Sequence, residues 1–313
     1  METIDINSLE IFKTNRYFPT EIGMVSDNAY LSIVATNRCQ CNCAYCINSE
    51  TDHRLNLPID KAVINIAKLV EKYGVKEAII SGGEPLLHPN IIELVKRLRN
   101  ETGLQMIRLT TNGVKLKGNK EFIKQLFDKD KGLQGINISC HNEDFMPYEE
   151  LCVICNYIKE VNPNIKIRIN SNIWKGNLDT LDKIRYHIDV ISKFSDEMRI
   201  SNIIPKDDFS VNSINKGLDM ILSDEEYANL FKKLIGFYSD YITPIENGKT
   251  LVFVRYILIP AKFPIIVNWN IGSTVSEQVC ENDIRNREIN TFKCLVSGDI
   301  SLSWNDKNKI FLM

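Results

Sequence analysis

An α/β fold, an open partial barrel of six βα units with a C-terminal extension, is predicted by three observations. From about residue 28 to 205, short β-branched runs alternate with longer amphipathic stretches. Six such pairs follow one another, which implies a parallel sheet with right-handed crossovers. Six strands curve into about three quarters of a barrel and are too few to close an eight-fold one.

The strand runs fall at 29–35, 77–81, 106–111, 135–139, 166–172 and 197–204, and the helical stretches at 60–73, 91–101, 120–127, 148–161 and 178–194. In the first helix Val63, Ile64, Ala67, Leu69 and Val70 recur at the helical period, and Gly74 stops it. The strands alternate: Ile165, Ile167 and Ile169 against Lys166, Arg168 and Asn170; Ile136 and Ile138 against Asn137, Ser139 and His141. Arg108, Thr110 and Asn112 share a face in the third run, as do Arg199 and Ser201 in the sixth. With helices on the outer face, this polar face points inward, where a filled barrel would carry Val, Ile and Leu. A polar lumen implies a polar ligand, and Arg168 and Arg199 imply an anionic one. Residues 1–27 read as an N-terminal extension and 206–313 as a C-terminal one covering the barrel: a loop at 206–222, a helix at 224–238, then irregular strands and turns.

Composition narrows the class. Hydrophobic residues make up 44% and charged residues 25%, which excludes a disordered chain. The formal charge of −2 offers no general basic field, so no nucleic-acid partner is expected. The most apolar stretch, 251–269, is interrupted by Arg255, Pro260, Lys262 and Pro264, so no membrane span is expected either. The N-terminus lacks a basic-then-apolar signal pattern, and nine cysteines, four of them within eight residues, suggest metal in a reducing cytoplasm.

Those four stand in Cys39-Gln-Cys41-Asn-Cys43-Ala-Tyr45-Cys46, directly after the first strand and therefore at the C-terminal mouth of the barrel. Cys39, Cys43 and Cys46 have the spacing C-x3-C-x2-C. Three thiolates on a [4Fe–4S] cluster leave one iron free for another chelator. The cysteines alone also admit a structural zinc site with Cys41 as fourth ligand, and hence a binding module without redox chemistry. Ser81-Gly82-Gly83-Glu84-Pro85 follows the second strand, and Leu109-Thr110-Thr111-Asn112-Gly113 ends the third.

Cysteine spacing, the aromatic Tyr45 and the GGEP run together resemble the radical S-adenosylmethionine (SAM) superfamily, over about residues 28–205. The resemblance implies a [4Fe–4S] cluster on Cys39, Cys43 and Cys46 and SAM chelated to its open iron. Reductive cleavage then yields a 5′-deoxyadenosyl radical that abstracts hydrogen from a substrate. It places Tyr45 near the adenine and Gly82, Gly83 and Glu84 at the methionine amino group. It puts Thr110, Asn112, Ser139 and Asn170 at the ribose or carboxylate. Arg168, Arg199 and His141 are the candidates for reaching SAM or substrate. A flavodoxin or ferredoxin is implied as electron donor. The substrate expected is a small polar metabolite, nucleotide- or sugar-like; a peptide, or a glycyl-radical partner, is the alternative.

Cys280 and Cys294 enclose thirteen residues similar to part of the auxiliary motif of molybdenum-cofactor GTP cyclases, but Glu277 stands where that motif has its preceding cysteine. Cys152 and Cys155, at i and i+3, read as helix packing, Cys140 as facing away from the lumen, and His88 and His187 as structural. Trp304 is read as either a cover for the barrel or a core residue.

Overall fold

The computed structural model describes residues 16–41, 43, 45–46, 52, 54–203, 218–238, 242–245, 253–258, 263–270, 288–303, 309–310 and 312. Cys280, Trp304 and residues 206–217 of the loop expected at 206–222 lie outside them. One sheet organises the rest, in the order β12-β11-β2-β3-β4-β5-β6-β7-β10-β9-β8, with β1 paired on β2. Its strands are β1 (Tyr17–Thr20), β2 (Gly23–Thr36), β3 (Glu77–Gly82), β4 (Met106–Thr111), β5 (Gly135–Ser139), β6 (Lys166–Ile173), β7 (Glu197–Asn202), β8 (Ile242–Ile245), β9 (Phe253–Leu258), β10 (Ile265–Asn270), β11 (Glu288–Cys294) and β12 (Ile300–Ser301).

The six predicted strands are β2 to β7, each parallel to the next. The C-terminal region adds a parallel strand at each edge: β11 on β2 and β10 on β7. The barrel wall therefore has eight parallel strands, and among the described residues no pairing joins its ends. Two sequence boundaries are corrected. The division at 27/28 falls inside β2, whose hairpin with β1 begins at Tyr17. Residues 206–313 do not merely cover the barrel, because two of their strands are part of its wall.

Between the strands run α1 (Ile59–Tyr73), α2 (Ile91–Glu101), α3 (Lys120–Leu126), α4 (Tyr148–Val161) and α5 (Leu181–Ile191); α6 (Asp224–Phe237) follows β7. Gly74 ends α1 in the left-handed region (φ 68°), its N–H donating to the Val70 carbonyl. Thr180 caps α5 through the Lys183 N–H, so that helix starts three residues later than its apolar pattern suggests. Leu31, Ile33, Ala78, Ile80, Ile107, Leu109, Ile136, Ile138, Ile167, Ile169, Met198, Ile200, Ile265, Val267 and Phe292 form the helix-facing core, all of them fully buried. The alternate residues of the same strands line the lumen: Ser32, Ser81, Arg108, Thr110, Asn137, Ser139, Arg168, Asn170, Asn172, Arg199, Ser201 and Lys293.

Candidate active site

At the mouth, the chain leaving β2 carries Cys39, Cys41, Cys43 and Cys46, all partly exposed and free of disulfides. Burial raises the Cys39 thiol, and Glu84 and Cys46 raise it further; burial likewise raises Cys43, with Cys46 and Cys39 adding to it. Burial, then Cys39, Cys43 and Glu84, push Cys41 up to about 11. The sulfurs are near enough to resist one another's ionisation, a repulsion that an iron–sulfur core would reverse, with protons released as it binds. The donor chemistry fits such a cluster: soft ligands on one loop, electrostatically coupled.

The GGEP turn holds that loop in place. Gly83 N–H donates to the Thr36 carbonyl (2.8 Å) and Glu84 N–H to the Arg38 carbonyl (2.6 Å). A Cβ on Gly82 would stand 2.2 Å from the Thr36 carbonyl oxygen, and one on Gly83 2.4 Å from that of Arg38. The glycines are required by the backbone of the cysteine loop, whatever they also do for a ligand. Gly82, at φ 138°, is also in a region that side chains avoid.

Glu84 is 1% exposed, and its carboxylate accepts from Thr111 Oγ1 (2.6 Å), Asn112 N (2.7 Å) and Leu86 N (3.0 Å). Burial raises its pKa, opposed by those same three bonds. The side chain thus ties the turn after β3 to the turn after β4, a different job from meeting an ammonium group. Asn112 continues the tie: Nδ2 donates to Cys41 Sγ (3.4 Å), and Oδ1 accepts from Gln40 Nε2 (3.1 Å) and Val114 N (3.0 Å). Its side chain thus meets the cysteine loop.

An aromatic group stands over β5 and β6. Tyr45 lies 5.6 Å from His141 and 5.2 Å from Trp174 between ring centroids, and His141 lies 4.9 Å from Phe145. Burial pushes His141 down to about 4, so its ring is neutral, and Nδ1 accepts from Asn172 N (3.1 Å). Trp174 and Phe145 escaped the sequence reading; an aromatic residue just past the end of a barrel strand was the available signal.

Deeper in the lumen, Ser139 stands in register with Asn170 and Asn170 with Arg199; one row below, Thr110, Asn137 and Arg168 align. Arg168 donates to Glu197 from Nε and Nη2, each at 2.7 Å, and Arg108 Nη1 lies 3.6 Å from the same oxygen. The expectation that Arg168 and Arg199 both need an anionic ligand is therefore corrected for Arg168: Glu197 supplies its counter-charge. β11 adds Lys293, which burial lowers to about 8 and which no pattern in 240–313 announced. Asn170 Oδ1 and Asn137 Oδ1 are buried without a hydrogen-bond partner among the described residues. Such orphaned acceptors on the polar face of the sheet fit a bound ligand that brings donors.

On the helix side the structural readings hold. His187 is fully buried between Tyr148 Oη (2.6 Å) and Ser171 Oγ (2.8 Å), and His88 holds the Leu57 carbonyl and Asn90 N–H. Cys140, Cys155 and Cys294 are buried on that side, and Cys152 packs partly buried against the same core.

A cysteine loop at the C-terminal mouth of an open, polar-lined parallel barrel fits an enzyme that works through an iron–sulfur cluster. The family model of the radical SAM superfamily matches residues 33–152. The GTP 3′,8-cyclase of Staphylococcus haemolyticus is 30% identical over 239 residues, 70% of this chain and 68% of that one; that of Aquifex aeolicus is 29% identical, covering 71% and 70%. Among solved structures, Streptococcus suis SuiB bound to S-adenosylmethionine superposes with a TM-score of 0.60 at 16% identity, over 91% of this chain and 64% of that one. The chain belongs to the radical SAM superfamily. It is an enzyme of the [4Fe–4S] cluster and SAM. No helix among the described residues is long and apolar enough to cross a membrane.

Proposed function

We propose that this enzyme abstracts hydrogen from a small, anionic, nucleotide- or sugar-like metabolite. The observation that carries the reading is the charge of the lumen face. The strand alternation places Arg108, Lys166, Arg168, Arg199 and Lys293 on it, against Glu77 and Glu197. Basic side chains outnumber acidic ones on this face, and an anionic ligand complements a surplus of positive charge. The relatives named GTP 3′,8-cyclase, whose name gives a nucleotide as substrate, support the same class.

In this reading Cys39, Cys43 and Cys46 hold the cluster, which supplies one-electron cleavage of SAM when both are bound. Tyr45, stacked among His141 and Trp174, lines the adenine end, and the Gly82–Gly83 backbone the methionine end. Ser139, Thr110 and Asn170 meet the ribose or carboxylate. Arg199 and His141 remain assigned to SAM or substrate, while Arg168 belongs to the floor of the lumen. The neutral His141 donates or accepts a hydrogen bond and carries no charge to the site. A flavodoxin or ferredoxin is the assigned electron donor, and the cytoplasm the assigned compartment.

The test is anaerobic reconstitution with iron and sulfide, followed by 5′-deoxyadenosine formation with a panel of nucleotides, sugar phosphates and peptides. Stimulation by a phosphorylated metabolite is expected. Stimulation by peptides alone overturns the substrate class, and a colourless zinc protein overturns the cofactor.

A further inference from the structure

One side chain in the lumen is built to meet something that the protein does not itself supply. Asn137 is 4% exposed, on the lumen face of β5. Its Nδ2 donates to Thr110 Oγ1 at 3.0 Å, which turns Oδ1 away from β4, and that oxygen is buried without a partner among the described residues. A structural asparagine engages both ends of its amide, as Asn112 does here. Leaving one end open in a buried position destabilises the ligand-free protein. The row above repeats the feature: Asn170 Oδ1 is also buried and open. Two open acceptors on adjacent strands, in successive rows of one lumen, form a surface that selects hydrogen-bond donors.

We propose that Asn137 is a substrate-recognition residue, accepting a hydrogen bond from a neutral hydroxyl or N–H of the substrate. Under the reading above, on which this rests, SAM takes the row of Ser139 and Asn170 and reaches no deeper than Thr110. Asn137 lies one row deeper, where the substrate must stand to be within reach of the radical. A phosphate or carboxylate at neutral pH has no proton to give this oxygen, so the anionic end of the substrate points elsewhere in the lumen. The donor-bearing part, a sugar hydroxyl or a nucleobase N–H, goes between β4 and β6. The acceptor thereby sets the substrate's orientation and discriminates against analogues lacking that donor.

The experiment uses the reconstituted holoenzyme with SAM, and GTP, 2′-deoxy-GTP, 3′-deoxy-GTP and ITP as probes, measured by calorimetry. Wild type should bind GTP about ten- to a hundredfold more tightly than whichever analogue lacks the donor that Asn137 reads. Asn137→Leu should bind GTP as weakly as that analogue and no longer tell the two apart; the analogue identified says whether the donor is on sugar or base. Equal GTP affinity in variant and wild type overturns the proposal. A second readout needs no ligand. Asn137→Leu combined with Thr110→Val removes both hydrogen-bonding partners, and it should melt no lower than wild type, because an open buried acceptor has gone. A clear fall in melting temperature makes Asn137 structural and overturns the proposal. Should wild type bind none of the nucleotides, the nucleotide reading fails, and the melting comparison still decides for or against Asn137.

Discussion

Replacing Glu197 by Gln should destabilise the enzyme more than replacing the arginine it binds. Glu197 is the shared anion of Arg168, bonded twice at 2.7 Å, and of Arg108, 3.6 Å away; side-chain exposures are 15%, 18% and 9%. At that burial, solvent screening is slight and the pairing matters more than in a surface bridge. Arg168→Met leaves Glu197 with Arg108 as counter-charge, so the loss is that of a charge-assisted bond, about 1.5–3 kcal/mol. Glu197→Gln removes the anion that Arg168 and Arg108 share, a loss of about 3–5 kcal/mol. The difference, roughly 2 kcal/mol, is about a thirtyfold change in the folding equilibrium. Equilibrium urea unfolding of the metal-free protein, followed by tryptophan fluorescence, measures it. If Glu197→Gln is no more destabilised than Arg168→Met, the three-residue floor does not share its charge as described, and Arg168 returns as a candidate for the substrate anion.

Alanine at Cys39, Cys43 or Cys46 should remove iron and SAM cleavage together, whereas Cys41→Ala should retain both; iron content and absorbance near 400 nm decide, and loss in the Cys41 variant restores a four-cysteine site. Gly83→Val should impair iron loading as well as SAM affinity, since its side chain meets the Arg38 carbonyl of the cysteine loop; full iron with weakened SAM binding would refute that account. Burial holds His187 at about 4, below its ordinary 6.5, so the unfolded chain takes up a proton first as pH falls. Its contribution to stability is whole above about pH 6.5 and lost progressively toward pH 4, on the order of a few kcal/mol. His187→Phe should flatten that part of the stability–pH curve; an unchanged slope assigns it to other groups.

The cluster motif and the βα rhythm were legible because both are local. Ligand spacing is set by chain geometry within a few residues, and strand and helix periodicity follow from which face each element buries. The lumen face of β4–β7 follows from the same alternation, as does the opposite direction of Cys140. The roles of the polar residues were another matter. Arg168 alternates onto the lumen whether it meets a ligand or Glu197, and Asn112 whether it meets SAM or Cys41; sequence alone presents the same letter in both cases.

Sequence by itself determined the chemistry: three cysteines able to leave an iron open, a GGEP turn at the next strand, and a barrel wall polar on one side. Tertiary structure decided what completes that wall and what each polar group faces. β10 and β11 have their pairing partners about 70 and 260 residues away along the chain, in β7 and β2. No periodicity in a short C-terminal strand records such a partner. Lys293 enters the lumen only because β11 docks beside β2, and Asn137 keeps an open oxygen only because Thr110, on the neighbouring strand, takes the other end of its amide. Both facts are long-range pairings, and pairing energy depends on positions in space that no local pattern encodes.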